Sequence, residues 1–185
     1  MDPLLVDLPE RAESSRLMMR IPQHGDGAIV NRAITESFEF FKPWFAWCQK
    51  IPTVEASERF QREQRIKFYQ RTGIPFLLFE KATGDFVGTV DVHMVKWDIG
   101  QFELGAWCTK SKEGSGYMLE AGSVFLRMFD ERGLIQRATI LSQVGNKRSI
   151  ALARSLNFTE EGILKKFRPG ADGKPADFHM FAKIF

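Results

Sequence analysis

A strand-like run, Phe102 to Thr109, and a helix-like run, Tyr117 to Arg132, are joined by a loop that contains Glu113-Gly114-Ser115-Gly116-Tyr117. A strand feeding a glycine-bearing loop and then a helix leaves unpaired backbone N–H groups aimed at one point, with the positive end of the helix dipole behind them. Such a loop is an anion cradle, and its natural guest is the phosphate or pyrophosphate of a nucleotide-like cofactor. A Walker loop requires Lys and a hydroxyl residue directly after its last glycine, but Tyr117 and Met118 follow here, which excludes the kinase or ATPase reading. A dinucleotide fold wants a small residue three positions after the second glycine, where Leu119 stands, so the Rossmann reading is weak. A plain turn ahead of a core helix is the remaining alternative.

A second constellation lies downstream. After another strand-like run, Gln136 to Ser142, come Asn146-Lys147-Arg148-Ser149 and a short helical stretch that ends in Leu156-Asn157-Phe158. With the glycine loop, these residues resemble the GNAT superfamily of N-acetyltransferases. That family combines a loop written Q/R-x-x-G-x-G/A, which holds the pyrophosphate of acetyl-coenzyme A, with a later N-x-x-S and a helix ending in L-G-F. Gly114-Ser115-Gly116 match the first motif's glycine core, Asn146 and Ser149 the second, and Leu156-Asn157-Phe158 the third with one substitution. Ser15-Arg16-Leu17-Met18-Met19-Arg20 is similar to the opening strand of the Rim-type branch, the ribosomal-protein amino-terminal acetyltransferases and their relatives. Phe102-Glu103-Leu104-Gly105-Ala106-Trp107 is similar to that branch's A-E-I-G-Y-W strand, and Pro43-Trp44-Phe45-Ala46-Trp47 to its early P-W-x-x-W segment.

The resemblance covers nearly the whole chain and implies one acetyltransferase domain over residues 14–185, with 1–13 as an N-terminal extension. It implies an α/β (α+β) fold with a mixed, mostly antiparallel central sheet, splayed at the cofactor site, and helices on both faces. Acetyl-coenzyme A would be held by Glu113, Gly114, Ser115, Gly116 and Tyr117 at the pyrophosphate. Trp107, Cys108 and Thr109 on the splayed strand would line its arm, with Asn146 and Ser149 on the other side. Ser111 and Glu113 stand where the family carries Gln or Arg, which implies one polar contact fewer and an anion near the phosphates, with Lys110 and Lys112 to offset it. Asn157 in place of Gly is a mild change, because Asn is the next residue to tolerate a left-handed helix end.

Composition agrees with one enzyme domain. A chain of 185 residues is about one domain long and can bury a sizeable core. The net charge of +3 is slight and its basic residues are interleaved with acidic ones, so nucleic acid is not an expected partner. Cys48 and Cys108 are too isolated for a disulfide framework or a zinc site, and no metal is expected. No signal peptide or bilayer-length apolar run is read, so a cytoplasmic protein without membrane attachment is expected. A homodimer is compatible with the sequence.

The coarse pass reads Ser15 to Ile21 as an opening strand and a helix capped by Asp26 through Ile34. The segment Thr53 to Arg71 reads as a charged helix, capped by Thr53, with Ala56, Phe60, Ile66 and Tyr69 near one stripe. Phe76 to Glu80, Phe86 to Lys96 and Phe102 to Thr109 form an antiparallel meander. Helix, strand, helix and two strands follow, the last being Ala176 to Phe185, which gives helices packed on a mixed sheet.

Acyl transfer to an amine needs a base for the amine's proton and a donor for the leaving thiolate. Glu103 is the candidate base. Strand alternation sets it with Gly105 and Trp107, opposite Phe102, Leu104 and Ala106; a solvated carboxylate or a salt bridge to Arg137 is the alternative reading. Ser149 is the candidate donor, with a local backbone bond as its alternative. Tyr117 suits cofactor contact or packing. Trp44, Trp47 and His93 are the candidate acceptor-side residues, against the alternative of core packing. The implied acceptor is a primary amine, a peptide N-terminus or a small molecule, and the rival to catalysis is a non-catalytic interaction module.

Overall fold

The computed structural model describes residues 2–185. The element order is β1 (Arg11–Glu13), β2 (Leu17–Arg20), α1 (Asp26–Glu36), α2 (Phe38–Phe41), α3 (Val54–Gln70), β3 (Ile74–Glu80), β4 (Phe86–Lys96) and β5 (Gln101–Cys108). Then come α4 (Tyr117–Asp130), β6 (Arg137–Gln143), α5 (Lys147–Ser155), β7 (Thr159–Pro169) and β8 (Pro175–Ile184). All eight strands join one sheet in the order β1-β2-β3-β4-β5-β6-β8-β7. β5 and β6 run parallel, because the connection between them is the helix α4, and every other neighbouring pair is antiparallel.

β3 shows how the sheet acquires two cores. Ile74, Phe76 and Leu78 point into one hydrophobic cluster with Phe125 and Phe129 of α4 and Ala153 of α5, whereas Leu77 and Phe79 point into another with Val30 and Ile34 of α1 and Phe41 of α2. The strand's unbroken apolar run is therefore a period-two pattern read on both faces at once. Helices cover both faces, as expected.

Several local expectations change. Asp26 does not cap α1; Gly25 takes the cap position in a left-handed conformation, and Glu58 of α3 accepts from the N–H groups of Gly25 and Gly27 instead. Thr53 does cap α3, accepting from Ala56 N at 3.1 Å. The face that α3 buries carries Ser57, Gln61 and Phe68, however, and Phe60, Ile66 and Tyr69 are exposed. The reason is a close helix contact: a Cβ on Gly27 would lie 2.3 Å from Glu58 Cα, so only small or polar side chains fit between α1 and α3. Residues ahead of the expected domain start also take part in the fold. β1 pairs with β2, Val6 and Leu8 are buried in the core, and Arg71 donates to Val6 O.

One register feature positions the site. β5 and β6 pair only over Gln101 to Glu103 and Arg137 to Thr139, after which they diverge. From Leu104 onward β5 keeps β4 on one side and, among the described residues, has no strand on the other. The split opens toward the loop that leads into α4.

Candidate active site

Gly114 and Gly116 both adopt left-handed backbone conformations, with φ of 75° and 79°, and Gly116 is the N-cap of α4. An L side chain is strained in that region, so the loop needs its glycines at these positions. The first helical bond of α4 runs from Glu120 N to Gly116 O, and among the described residues the N–H groups of Gly114 through Leu119 meet no acceptor. The loop thus presents a run of unpaired backbone N–H groups at the start of α4. Arg16 braces it from β2's approach: its guanidinium donates to Ser115 O at 2.9 Å, pairs with Glu120 at 2.6 Å and lies 4.4 Å from the Tyr117 ring centroid. Burial disfavours the Glu120 charge, but bonds from Ser14, Arg16 and Ser15 outweigh it and pull the carboxyl down to about 2. Tyr117 contributes its N–H to the cradle, while its phenol donates to Glu80, which pushes the phenol up.

Glu113 is not a bare anion. It pairs with Lys110 and with Arg148 at the start of α5, and Lys110 chiefly holds its carboxyl below the ordinary range. Lys112, expected to help, is instead bound to Glu80 at 2.6 Å and Asp85 at 3.0 Å. Both Lys110 and Arg148 also lie over the Phe40 ring. The Glu113–Arg148 pair thus ties the loop after β5 to the helix after β6, across the split. Asn146 caps α5, its Oδ1 accepting from Ser149 N at 3.2 Å, so the pair singled out from sequence is held together through the backbone. Cys108 is half-buried and its thiol is pushed up by burial, with Glu113 adding to the effect, while Thr109 is buried with its hydroxyl 3.3 Å from Ser111 Oγ. Among the described residues, Ser142 Oγ and Gln143 Oε1, at the end of β6, are buried without a hydrogen-bond partner.

The second half of the site lies on one face of β5. Phe102 and Leu104 are buried, whereas Glu103, Gly105 and Trp107 alternate with them on the less covered side. Glu103 stands opposite His93 and Gly105 opposite Asp91. Arg168 Nη2 lies 2.8 Å from Glu103 Oε1, and His93 Nε2 lies 3.3 Å from the same oxygen. The expected partner Arg137 is engaged by Glu161 instead. Burial would raise Glu103, but His93 and Arg168 outweigh it and hold the carboxyl below its usual range. Four residues further along the strand face, Trp107 packs on Phe41 at 5.1 Å and faces Trp47 at 6.4 Å between ring centroids. Trp47 is half-exposed, and Trp44 approaches Gly145 in the loop before α5, 3.9 Å from where a Cβ would sit. Glu103, His93, Trp107 and Trp47 therefore form one row, acidic and basic at the Glu103 end and aromatic at the Trp107 end.

The sequence model of the acetyltransferase (GNAT) domain family matches residues 16–159. The chain belongs to the GNAT acetyltransferase family. A curated relative, an uncharacterized N-acetyltransferase called p20 from Bacillus licheniformis, is 27% identical over 109 residues, which cover 59% of this chain and 61% of p20. The chain thus spans about three fifths of that relative's length. Among solved structures, the microcin C7 self-immunity acetyltransferase MccE in complex with acetyl-CoA and AMP has a TM-score of 0.88 at 20% identity, covering 93% of this chain and 94% of that one. RimL, the ribosomal L7/L12 alpha-N-protein acetyltransferase, in complex with coenzyme A has a TM-score of 0.86 at 21% identity, covering 93% and 96%. At these identities the likeness shows the fold: a mixed α/β GNAT sheet, mostly antiparallel.

Sequence reasoning missed four site residues of this GNAT protein: Arg16, Asp91, Arg148 and Arg168. Arg16 lies inside the opening-strand resemblance and Arg148 inside the Asn146 motif, but their roles depend on contacts 99 residues away for Arg16 and across the split for Arg148. Asp91 alternates with His93 on β4, a spacing that sets both on one face and was the available clue. Arg168 is placed by the β7–β8 hairpin, whose register has irregularities beside it. Among the described residues no helix is long and apolar enough to cross a membrane.

Proposed function

We propose that this GNAT protein is an acetyl-coenzyme A dependent N-acetyltransferase that moves an acetyl group to a primary amine by direct transfer in a ternary complex, with a protein or peptide N-terminus as acceptor. The observation that carries the donor half is the row of unpartnered N–H groups from Gly114 through Leu119 at the positive end of α4, beside a split sheet. The residues present fit that donor. The buried Ser142 Oγ, without a partner among the described residues, leaves hydrogen-bonding capacity beside the split where a pantetheine arm would run, and buried polar atoms in native proteins rarely go unmatched.

Acetyl-coenzyme A supplies an activated thioester. The loop N–H groups hold its pyrophosphate, and the free edge of β5 from Leu104 through Cys108 offers backbone groups to the amides of the arm. Asn146 and Ser149 flank the arm from α5, with the Ser149 hydroxyl as donor to the leaving sulfur; a thiol with a pKa of about 8.5 needs only modest help to leave. Glu103 faces the acceptor, and Trp44 and Trp47 wall its path. The fold shared with RimL supports an N-terminal amine. A small-molecule amine is the second reading, favoured by the half-exposed Trp47 and by the fold shared with MccE, which was solved with AMP. The non-catalytic alternative draws on Ser111 and Glu113, the two departures from the family loop; pairing of Glu113 with Lys110 and Arg148 weakens the second of these.

Calorimetric titration with acetyl-coenzyme A, against ADP as control, tests the donor site. The expected result is micromolar binding in the native protein and a loss of at least about tenfold in Gly116→Trp, whose bulk fills the cradle. Unchanged affinity in that variant overturns the pyrophosphate assignment. Rates with short peptides and with simple amines then separate the two acceptor classes.

A further inference from the structure

Resting on the N-acetyltransferase reading, we propose that His93, oriented by Asp91, is the base that takes the acceptor's proton, and that Glu103 is the anchor that holds the acceptor's ammonium in front of it. The two residues on β4 form a dyad. Asp91 Oδ2 lies 2.8 Å from His93 Nδ1, which fixes the ring so that Nδ1–H donates to the carboxylate and Nε2 is left for chemistry. Nε2 lies 3.3 Å from Glu103 Oε1 on β5, and Arg168 Nη2 from β7 holds that same oxygen at 2.8 Å.

Gly105 makes this arrangement possible. It stands opposite Asp91, and a Cβ there would lie 2.7 Å from Asp91 Oδ1 and 3.2 Å from His93 Cε1. Any side chain at 105 would displace the carboxylate that orients the ring. Gly105 also lies just past Glu103, the last β5 residue paired with β6, so the dyad stands at the mouth of the split, where the thioester end of the donor arm belongs. Glu103 is poorly suited to be the base itself. Its oxygen is claimed by two cationic groups, and a carboxylate kept so readily ionised has little affinity for an ammonium proton. His93 has the solvent access that a proton-passing group needs, its side chain being 42% exposed.

The groups facing His93 are Asp91 on its own strand, Glu103 on β5, and Arg168 of β7 acting through Glu103. Burial alone would lower its pKa, but the two carboxylates outweigh burial and raise it to about 9, so the free protein carries an imidazolium at neutral pH. An ammonium docking on Glu103 adds a further cation beside His93 and Arg168 at the same carboxylates and expels the His93 proton. The reaction then balances. The ammonium gives one proton to neutral Nε2, and the freed nitrogen lone pair bonds the thioester carbonyl carbon. The carbon–sulfur bond breaks with its electron pair leaving on sulfur. The second proton shed by nitrogen goes to that sulfur to give a thiol, and His93 releases its proton to solvent.

The test is an NMR pH titration of the His93 ring in the intact protein, with and without alanine amide, beside pH–rate profiles for an alanine-led peptide. Alanine amide is expected to lower the proton affinity of His93 at least about tenfold, as an added cation at contact distance does. His93→Gln is expected to lose about 100-fold or more in kcat, the scale of general-base catalysis, with acetyl-coenzyme A affinity unchanged. Asp91→Asn lowers the His93 midpoint in the free protein, and Glu103→Gln raises the acceptor KM more than it lowers kcat. A His93 midpoint indifferent to alanine amide, or full kcat in His93→Gln, overturns the assignment. Loss of kcat at unchanged KM in Glu103→Gln returns the base to Glu103. Failure to bind acetyl-coenzyme A would instead overturn the N-acetyltransferase reading, whereas the amine-linked titration reads the acceptor site without the donor.

Discussion

At the scale of single residues, the site is governed by how charges are shared. Glu113 sits in a loop built to receive an anion, and in isolation it would repel one. Lys110 and Arg148 absorb its charge, at the cost that neither cation is free for a phosphate. Glu113→Gln therefore releases two cations next to the cradle and should tighten acetyl-coenzyme A binding roughly fivefold at low ionic strength. The gain should shrink in 0.5 M salt, because exposed charges are screened over a few ångströms there. Calorimetry at two salt concentrations checks this, and weaker binding in the variant would mean that the tie to Arg148 organises the site more than its charge harms it. The sequence made Glu113 visible as a departure from the family pattern. Its rescue by Arg148 was not legible, because that contact is made only when the loop after β5 meets α5 across the split.

At the scale of elements, α4 is the piece that turns a glycine loop into a binding site. Its first turn is pinned to the start of β2 through Glu120, which accepts from Ser15 Oγ, from Arg16 N and from the Arg16 guanidinium. Its packing on α5 is close: a Cβ at Gly122 would lie 3.0 Å from the Leu156 side chain. Glu120→Ala should cost about 1–3 kcal/mol of stability, the usual range for stranding charge-assisted partners, read as a lowered urea midpoint. The same variant should weaken acetyl-coenzyme A, since Arg16 loses its anchor beside Ser115; an unchanged midpoint and affinity would show that α4 is held by apolar packing alone. Helices and strands were largely legible in advance, because β3, β4, α4 and the Asn157 left-handed turn follow local rules. Asn157 indeed has a φ of 62° between the buried Leu156 and Phe158. α3 shows the limit of such rules: its apolar residues suggested a buried stripe, but the space beside α1 admits only Ser57 and Gln61, and the larger side chains turn outward.

At the scale of the whole molecule, ionised groups fasten elements that are distant in the chain, and this gives stability a definite pH window. Glu58 joins α3 to the start of α1, Glu80 joins β3 to Tyr117 and Lys112, and Glu120 joins α4 to β2. All three carboxyls are drawn down to about 2: Glu58 chiefly by Gly25 N–H, Glu80 chiefly by Lys112, and Glu120 by bonds that outweigh its burial. A folded pKa below the unfolded one contributes stability that is full above about 4.5 and is lost as pH falls through the folded value near 2. His93 works in the opposite sense. Raised from 6.5 to about 9, it contributes stability that is full below 6.5 and lost as pH rises through about 9. Thermal midpoints should therefore be highest between about pH 4.5 and 6.5 and decline on both sides. Glu120→Gln should have a lower plateau and a shallower acid decline, whereas His93→Gln should flatten only the alkaline side. A native protein whose midpoint is level from pH 5 down to 2.5 would mean that these three carboxylates do not fasten the sheet to its helices in solution.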